Sequence, residues 1–334
     1  LENAQILGIN ARQSLDRIAR NALFGGAQTG VGGYPGGNTS VTTTLGAAGT
    51  SIKVDDVTGF ENVLNGMGQA VSVSTTNGMT VTVGGDVYTL VSTARDAVST
   101  SKAPTGASGT LTFAANVTVA DGAAGQPVVA SIAPLVLRPN GAATTAAIAA
   151  GAYLTINLIL SAVAVLRDNN VPTIDGAYHC YLDNSQCLGL FRDDDFKLLY
   201  RGQYGSDAYV SGSIFELLGV RFIPTTEAPQ QASLGNGLIH RAIVCGRGAL
   251  VEGDYENMTN HFAGDLDSGE IESVDDVVMV TRPALDRFAQ IIAQSWYWIG
   301  GFALPTDVTA NTTIIPTATN SYLKRAVVIE SLGA

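Results

Sequence analysis

The stretch NVPTIDGAYHCYLDNSQCLGLFRDDDFKLLY, residues 170–200, decides between the fold classes open to this chain. Pro172 cannot continue a helix arriving from upstream, because it lacks an N–H and clashes with the preceding turn. Tyr178–Leu182 then reads as a strand. Asp183-Asn184-Ser185 supplies side-chain acceptors for the free amides of a helix running to about Arg192. Further strands are expected at Gly219–Ile223, Ile239–Val244, Val277–Thr281 and Tyr322–Ile329. A helix from Pro283 to about Ile299, with proline acceptable in its first turn, is expected between the last two. Helices and strands interleaved in this way make an α+β fold.

Upstream, no charge occurs from Pro139 to Leu166, and AAIAAGAYLTINLILSAVAVL (146–166) is long enough to cross a bilayer. Its seven alanines, with Thr155, Asn157 and Ser161, lower its hydrophobicity, no Lys cluster flanks it and no second span follows. It therefore reads as a long helix buried in a large soluble assembly, ending near Arg167–Pro172. Residues 41–137 have only six acids, three bases and three aromatics. Alternating stretches at Ser51–Asp55, Ala70–Ser74, Met79–Val83 and Thr110–Phe113 mark them as all-β, a small barrel or sandwich inserted into the main domain. Residues 2–24 place Ala4, Leu7, Ala11, Leu15, Ile18 and Ala22 on one helical stripe. Seven glycines between Gly25 and Gly37 then read as a flexible arm or linker.

The 334 residues carry 18 Lys and Arg against 29 Asp and Glu, a net charge of −11. Only 14% are charged, where roughly 25% is usual in soluble domains, so neighbouring subunits or a Ser, Thr, Asn and Gly coat must cover the rest of the surface. An acidic chain with pI near 4.6 is a poor match for gripping phosphate backbones. Three cysteines, Cys180, Cys187 and Cys245, do not form a disulfide framework and indicate assembly in a reducing cytosol. The chain opens at Leu1-Glu2-Asn3 with no signal-peptide pattern, so its start reads as cleaved or as missing from this sequence.

Catalytic signatures are sparse. The three histidines, His179, His240 and His261, sit in no local motif, and His179 and Cys180 point to opposite faces of their strand. A distant Cys and His pair through Cys187 or Cys245 stays open, with core packing of the thiols as the ordinary alternative. No phosphate loop occurs. Nine acids and no Lys or Arg lie between Ala249 and Thr281, yet Gly269 cannot be the sixth residue of a calcium loop, because Gly264 would fall at the first ligand position. That tract and Asp193-Asp194-Asp195 read as solvated acidic turns, with a divalent ion as the alternative for the first. No catalytic, cofactor-binding or metal-binding residue is assigned. Leu7, Leu15 and Ile18 on the first helix, with Trp296 and Trp298 near the chain end, are the candidate subunit-interface residues.

The residues 170–200, followed by GSIFELLGVRFIPTTEAP (212–229), resemble the major capsid proteins of tailed bacteriophages, and most nearly the enquatro-like family. The likeness rests on the proline turn, Gly176 with Tyr178, the short helix, and then Gly212, Ile214, Leu217, Gly219, Val220, Arg221 and Phe222. It covers residues 1–40 and 138–334; residues 41–137 depart from it and stand where that family has its extended loop.

The resemblance implies a Hong-Kong-97-type fold: an N-terminal arm (1–40), an extended loop or β-rich insertion (41–137), a peripheral-domain spine helix (138–170), a mainly axial domain (171–281), and a C-terminal helix and strand closing the core (282–334). It implies a virion subunit assembled in the host cytoplasm that tiles an icosahedral shell with other copies of itself. Hexamers and pentamers would enclose double-stranded DNA without sequence-specific binding, without membrane or cofactor. Decoration, scaffolding and portal proteins are the further partners. Lys-to-Asn crosslinking, found in some relatives, would have only Lys53 and Lys102 as donors in the insertion. The rival readings are an encapsulin-type nanocompartment shell and a secreted β-rich adhesion protein, with a hydrolase third.

Overall fold

A computed structural model describes residues 2–25, 36–64, 70–103, 106–203, 216–231, 237–254, 271–274, 277–282, 284, 287–288, 292–304 and 325–334. The chain divides into a smaller unit, residues 1–20 and 250–303, and a larger one, residues 21–249 and 304–334.

Helix α1 (Glu2–Gly25) begins in the smaller unit, and its last residues belong to the larger. Next comes a closed barrel. Strands β1 (Asn38–Ser40), β2 (Gly49–Val54), β5 (Met79–Val83), β6 (Asp86–Arg95), β7 (Gly109–Val117) and β8 (Pro127–Ala130) pair antiparallel in the order β1-β8-β5-β6-β7-β2. A bridge between Val41 and Val54, with Asp55 N donating to Ser40 O and Thr42 N to Lys53 O, joins the two ends. Closure removes the free edges that an open sheet of such short strands would expose. β3 (Asn62–Leu64) and β4 (Ala70–Ser72) form a separate hairpin. Alternation along β5 and β7 turns Met79, Val81, Val83, Leu111 and Phe113 inward, onto Ile52, Phe60 and Leu90. The barrel core is built wholly from residues 41–132.

The chain leaves the barrel into β9 (Leu135–Leu137), which joins a second sheet. The uncharged segment that follows corrects the expected long helix over 146–166: α2 covers only Ile156–Asp168. Thr155 ends it on the upstream side, its Oγ1 accepting from Leu158 N, and Gly151 just before takes a left-handed φ of 78°. Apolar length alone does not nucleate a helix across such a glycine. Among the described residues no helix is long and apolar enough to cross a membrane.

Strand β10 (Tyr178–Leu182) and helix α3 (Asn184–Arg192) stand where residues 170–192 place them, with Asp183 as the cap; α4 (Asp194–Gln203) follows, which the sequence reading missed. β11 (Glu216–Leu217), β12 (Val220–Pro224), β13 (Gln230–Gln231), β14 (Ile239–Cys245) and the last strand, β20 (Ala326–Leu332), complete the sheet in the order β11-β12-β10-β14-β20-β9, with β13 on β14. β10 and β12 run parallel, so the segment between them is a crossover, and α3 and α4 lie in it. One face of the sheet packs Cys180, Leu182, Val244 and Ile329 against Ile159, Val163 and Leu166 of α2 and Leu190 of α3. The other face sets Ile243, Cys245 and Val328 against Phe24 at the end of α1.

In the smaller unit β15 (Val251–Asp254) pairs with β19 (Gly300–Ala303), while β16 (Ile271–Val274), β17 (Val277–Thr281) and β18 (Gln294–Tyr297) make a three-stranded antiparallel sheet. This overturns the helix expected over 283–299: from Gln294 to Tyr297 the chain is a strand, with Trp296 opposite Met279. The aromatic run fits a period of two, where alternate rings take opposite faces, better than a helix on which they crowd.

Candidate functional site

On α1 the burial does not follow the whole of the expected stripe. Ala11 is buried and Leu7 and Leu15 are half-buried, whereas Ile18 is 44% exposed. Ile6 and Ile9 are more exposed still, at 64% and 59%, and the sequence reading did not single them out. Their signal was two β-branched apolar residues lying off the stripe. Trp296 and Trp298 are both half-buried. Trp298 folds back over Gly300, where a Cβ would stand 2.5 Å from its Cζ2, and stacks on Phe302 with centroids 5.4 Å apart. Tyr297, Ile299 and Ile292 beside them are exposed, as is Phe288. Isolated exposed apolar residues are ordinary, but these recur on α1 and around β18.

The larger unit holds two buried polar clusters. In the first, Glu330 on β20 is fully buried and accepts from Arg138 Nε at 2.7 Å, Arg241 Nε at 2.9 Å and Thr145 Oγ1 at 2.8 Å. Arg241 also reaches Gln231 Oε1. Burial alone would raise the Glu330 pKa; the two guanidiniums outweigh it and hold the carboxyl below its ordinary range. Two cations against one anion leave a net positive charge in this core, tying the chain leaving β9 to β14 and β20.

In the second cluster, on the helical face of the same sheet, Asp183 Oδ2 meets His240 Nδ1 and accepts from Gln230 Nε2 at 3.0 Å, while Oδ1 accepts from Gln186 N at 2.8 Å. Burial pushes the Asp183 pKa up, but His240 and the Gln186 amide more than offset it and the net direction is down. His240 is 4% exposed and lines a cavity of about 370 Å³ together with Tyr153, Ser185, Leu238, Leu332 and Gly333. A second, larger groove of about 580 Å³ runs along the start of α2, between Arg138 and Ser161.

The three aspartates read as a solvated turn have separate tasks. Asp193 Oδ2 accepts from Ile156 N at 2.7 Å and so caps α2 from outside the helix. Its Oδ1 accepts from Asp195 N and Asp195 Oδ2 accepts from Asn157 Nδ2, while Asp194 pairs with Lys197 Nζ at 3.0 Å; Asp194 and Asp195 are both exposed, as a solvated turn requires. The acidic loop from Asp265 to Glu270 and His261 lie outside the described residues. Among the described residues no group of three or more His, Cys, Asp or Glu side chains is placed to hold a metal.

Register makes His179 and Cys245 cross-strand neighbours, and His179 and Cys180 do take opposite faces of β10. Burial pushes the Cys245 thiol up to about 12 and Cys187 up to about 11, and raises Cys180 further, so none is a ready thiolate. In the barrel, Lys53 pairs with Asp96, and the Lys102 amide is held by Asp55.

No protein-family model matches the chain, and no curated protein matches it. Partial similarity to solved phage structures is found. A structure from Mycobacterium phage Che8 aligns at 13% identity and a TM-score of 0.32, over 52% of this chain and 47% of that one. The acid-stable capsid of Helicobacter pylori bacteriophage KHP30 aligns at 10% identity and 0.38, over 54% and 59%. The head of Helicobacter pylori bacteriophage KHP40 gives 10% and 0.38, over 55% and 60%. The aligned region thus spans about half to three fifths of those chains.

Proposed function

We propose that this chain is a structural shell subunit, the major capsid protein of a tailed bacteriophage with a Hong-Kong-97-type fold of the enquatro-like kind. Many copies would form hexamers and pentamers by arm exchange and loop overlap and enclose double-stranded DNA. The observation that carries the reading is the exposure of Ile6, Ile9 and Ile18 on the first helix and of Ile292, Tyr297 and Ile299 around β18. In a chain with 14% charged residues, such surface is costly in water and is relieved by burial against other copies. The resemblance of residues 170–200 and 212–229 to phage capsid proteins supports the same conclusion, and the barrel then corresponds to the enlarged insertion of the extended loop.

The acidic balance suits a wall from which DNA must slide during filling and ejection, because few cations are available to displace counterions. The test is assembly. Purified full-length protein is expected to form particles of uniform size in negative-stain electron microscopy. Nucleic acid inside particles from the native source fits a virion, and a packaged enzyme would instead indicate a nanocompartment.

A further inference from the structure

We propose that Ser185, His240 and Asp183 form a nucleophilic serine site, open to the cavity of about 370 Å³, that is acylated by small esters and phosphonylated by organophosphorus reagents. The inference goes beyond the shell reading and does not rest on it. Asp183 is buried and fixed by the Gln186 amide and the Gln230 side chain, and its Oδ2 faces His240 Nδ1. A carboxylate there accepts a hydrogen bond from Nδ1–H, which fixes the tautomer and leaves the Nε2 lone pair directed away from it; His240 is among the residues lining the cavity. Ser185 lies against the same small residue as Nε2: a methyl on Gly333 would stand 2.4 Å from His240 Nε2 and 2.7 Å from Ser185 Oγ. Ser185 is the second residue of α3; Asp183 already takes the Gln186 and Cys187 amides of that first turn, so the backbone donors nearest a developing oxyanion are the Asn184 and Ser185 amides. The Ala334 amide donates to Ser185 Oγ at 3.0 Å, a bond that Ser185 gives up when it turns toward the imidazole.

In the step itself Ser185 passes its hydroxyl proton to His240 Nε2 as Oγ bonds to the acyl carbon. The bond from that carbon to the leaving oxygen breaks, and the alcohol departs with the proton returned by the imidazolium. Water then reverses the sequence and releases the acid. Oγ and Nε2 are not hydrogen-bonded to each other here, so Gly333 and Ala334 must shift as Ser185 turns toward the imidazole. Such contacts are often long before substrate binds.

The experiment is labelling of the folded full-length chain with a fluorophosphonate, where an Oγ–P bond forms and fluoride leaves, read by intact mass and peptide mapping. One adduct on Ser185 is expected, absent from Ser185→Ala, with the rate in His240→Gln lower by roughly 10²-fold or more. Circular dichroism checks that both variants fold. Should His240→Gln fail to fold, the pH profile of wild-type labelling decides: a rate that climbs as an imidazole deprotonates supports the site, and a flat profile overturns it. No adduct on the wild type, or equal labelling of Ser185→Ala, also overturns it.

Discussion

Replacing Glu330 by Gln keeps the shape of a fully buried side chain and removes the one anion between Arg138 and Arg241. No cavity forms, so the cost is electrostatic: two guanidiniums, each with under a tenth of its side chain exposed, lose their counter-charge. Removing one partner of a buried ion pair costs about 3–5 kcal/mol, a large part of the roughly 5–15 kcal/mol that holds a domain folded. For a unit of this size that is a fall in Tm of roughly 6–20 °C. Arg138→Gln is expected to cost less, because Glu330 keeps Arg241 and the remaining pair is neutral. Thermal unfolding of unassembled subunits by circular dichroism gives the ranking, and a Glu330→Gln shift no larger than that of Arg138→Gln would refute the reasoning. The pH dependence has a definite sign. The folded carboxyl titrates below the unfolded one, so its contribution is complete above the ordinary glutamate value of 4.5 and fades as pH falls through the lower folded value. The gap between wild type and Glu330→Gln therefore narrows in acid.

Asp193→Ala removes the acceptor for Ile156 N and is expected to cost about 1–2 kcal/mol by urea midpoint, whereas the exposed Asp194→Ala should stay within about 0.5 kcal/mol. Gly300→Ala places a methyl 2.5 Å from Trp298 and 2.7 Å from Gly253 O; loss of the Trp298–Phe302 stack should show in near-ultraviolet circular dichroism, and an unchanged spectrum would count against the packing described. Deleting residues 1–20 should leave a foldable larger unit that forms no closed shells, whereas a cut extended to residue 36 also removes Phe24 from the core beneath the sheet; Phe24→Ala alone should cost about 3–5 kcal/mol by the same urea titration.

Where local chemistry decides structure, the sequence was legible. Asp183 caps α3 because a carboxylate before a helix meets free amides whatever surrounds it, and β10 begins and ends as its alternation requires. Three barrel strands, β2, β5 and β7, followed from alternation, but β1, β6 and β8 were not singled out and the stretch from Ala70 belongs to the separate β3–β4 hairpin; closure was one of two readings, because Val41 meets Val54 only in three dimensions. Two readings failed for a common reason. The segments 146–166 and 283–299 are apolar enough to be either element, and composition without a cap or period cannot choose. Thr155 and Gly151 settled the first, and pairing of Trp296 with Met279 the second. The clusters around Glu330 and His240 were invisible, because their members are up to 192 residues apart and only the sheet register brings them together. Ile6 and Ile9 were in plain view, but one favoured stripe drew attention from the residues left outside it.

The central claim is that copies of this chain build a shell, and electron microscopy of the purified full-length protein, with light scattering for mass, tests it most directly. Uniform closed particles tens of nanometres across are the predicted result. A stable monomer at all protein concentrations, with the α1 and β18 surfaces left in solvent, would contradict it.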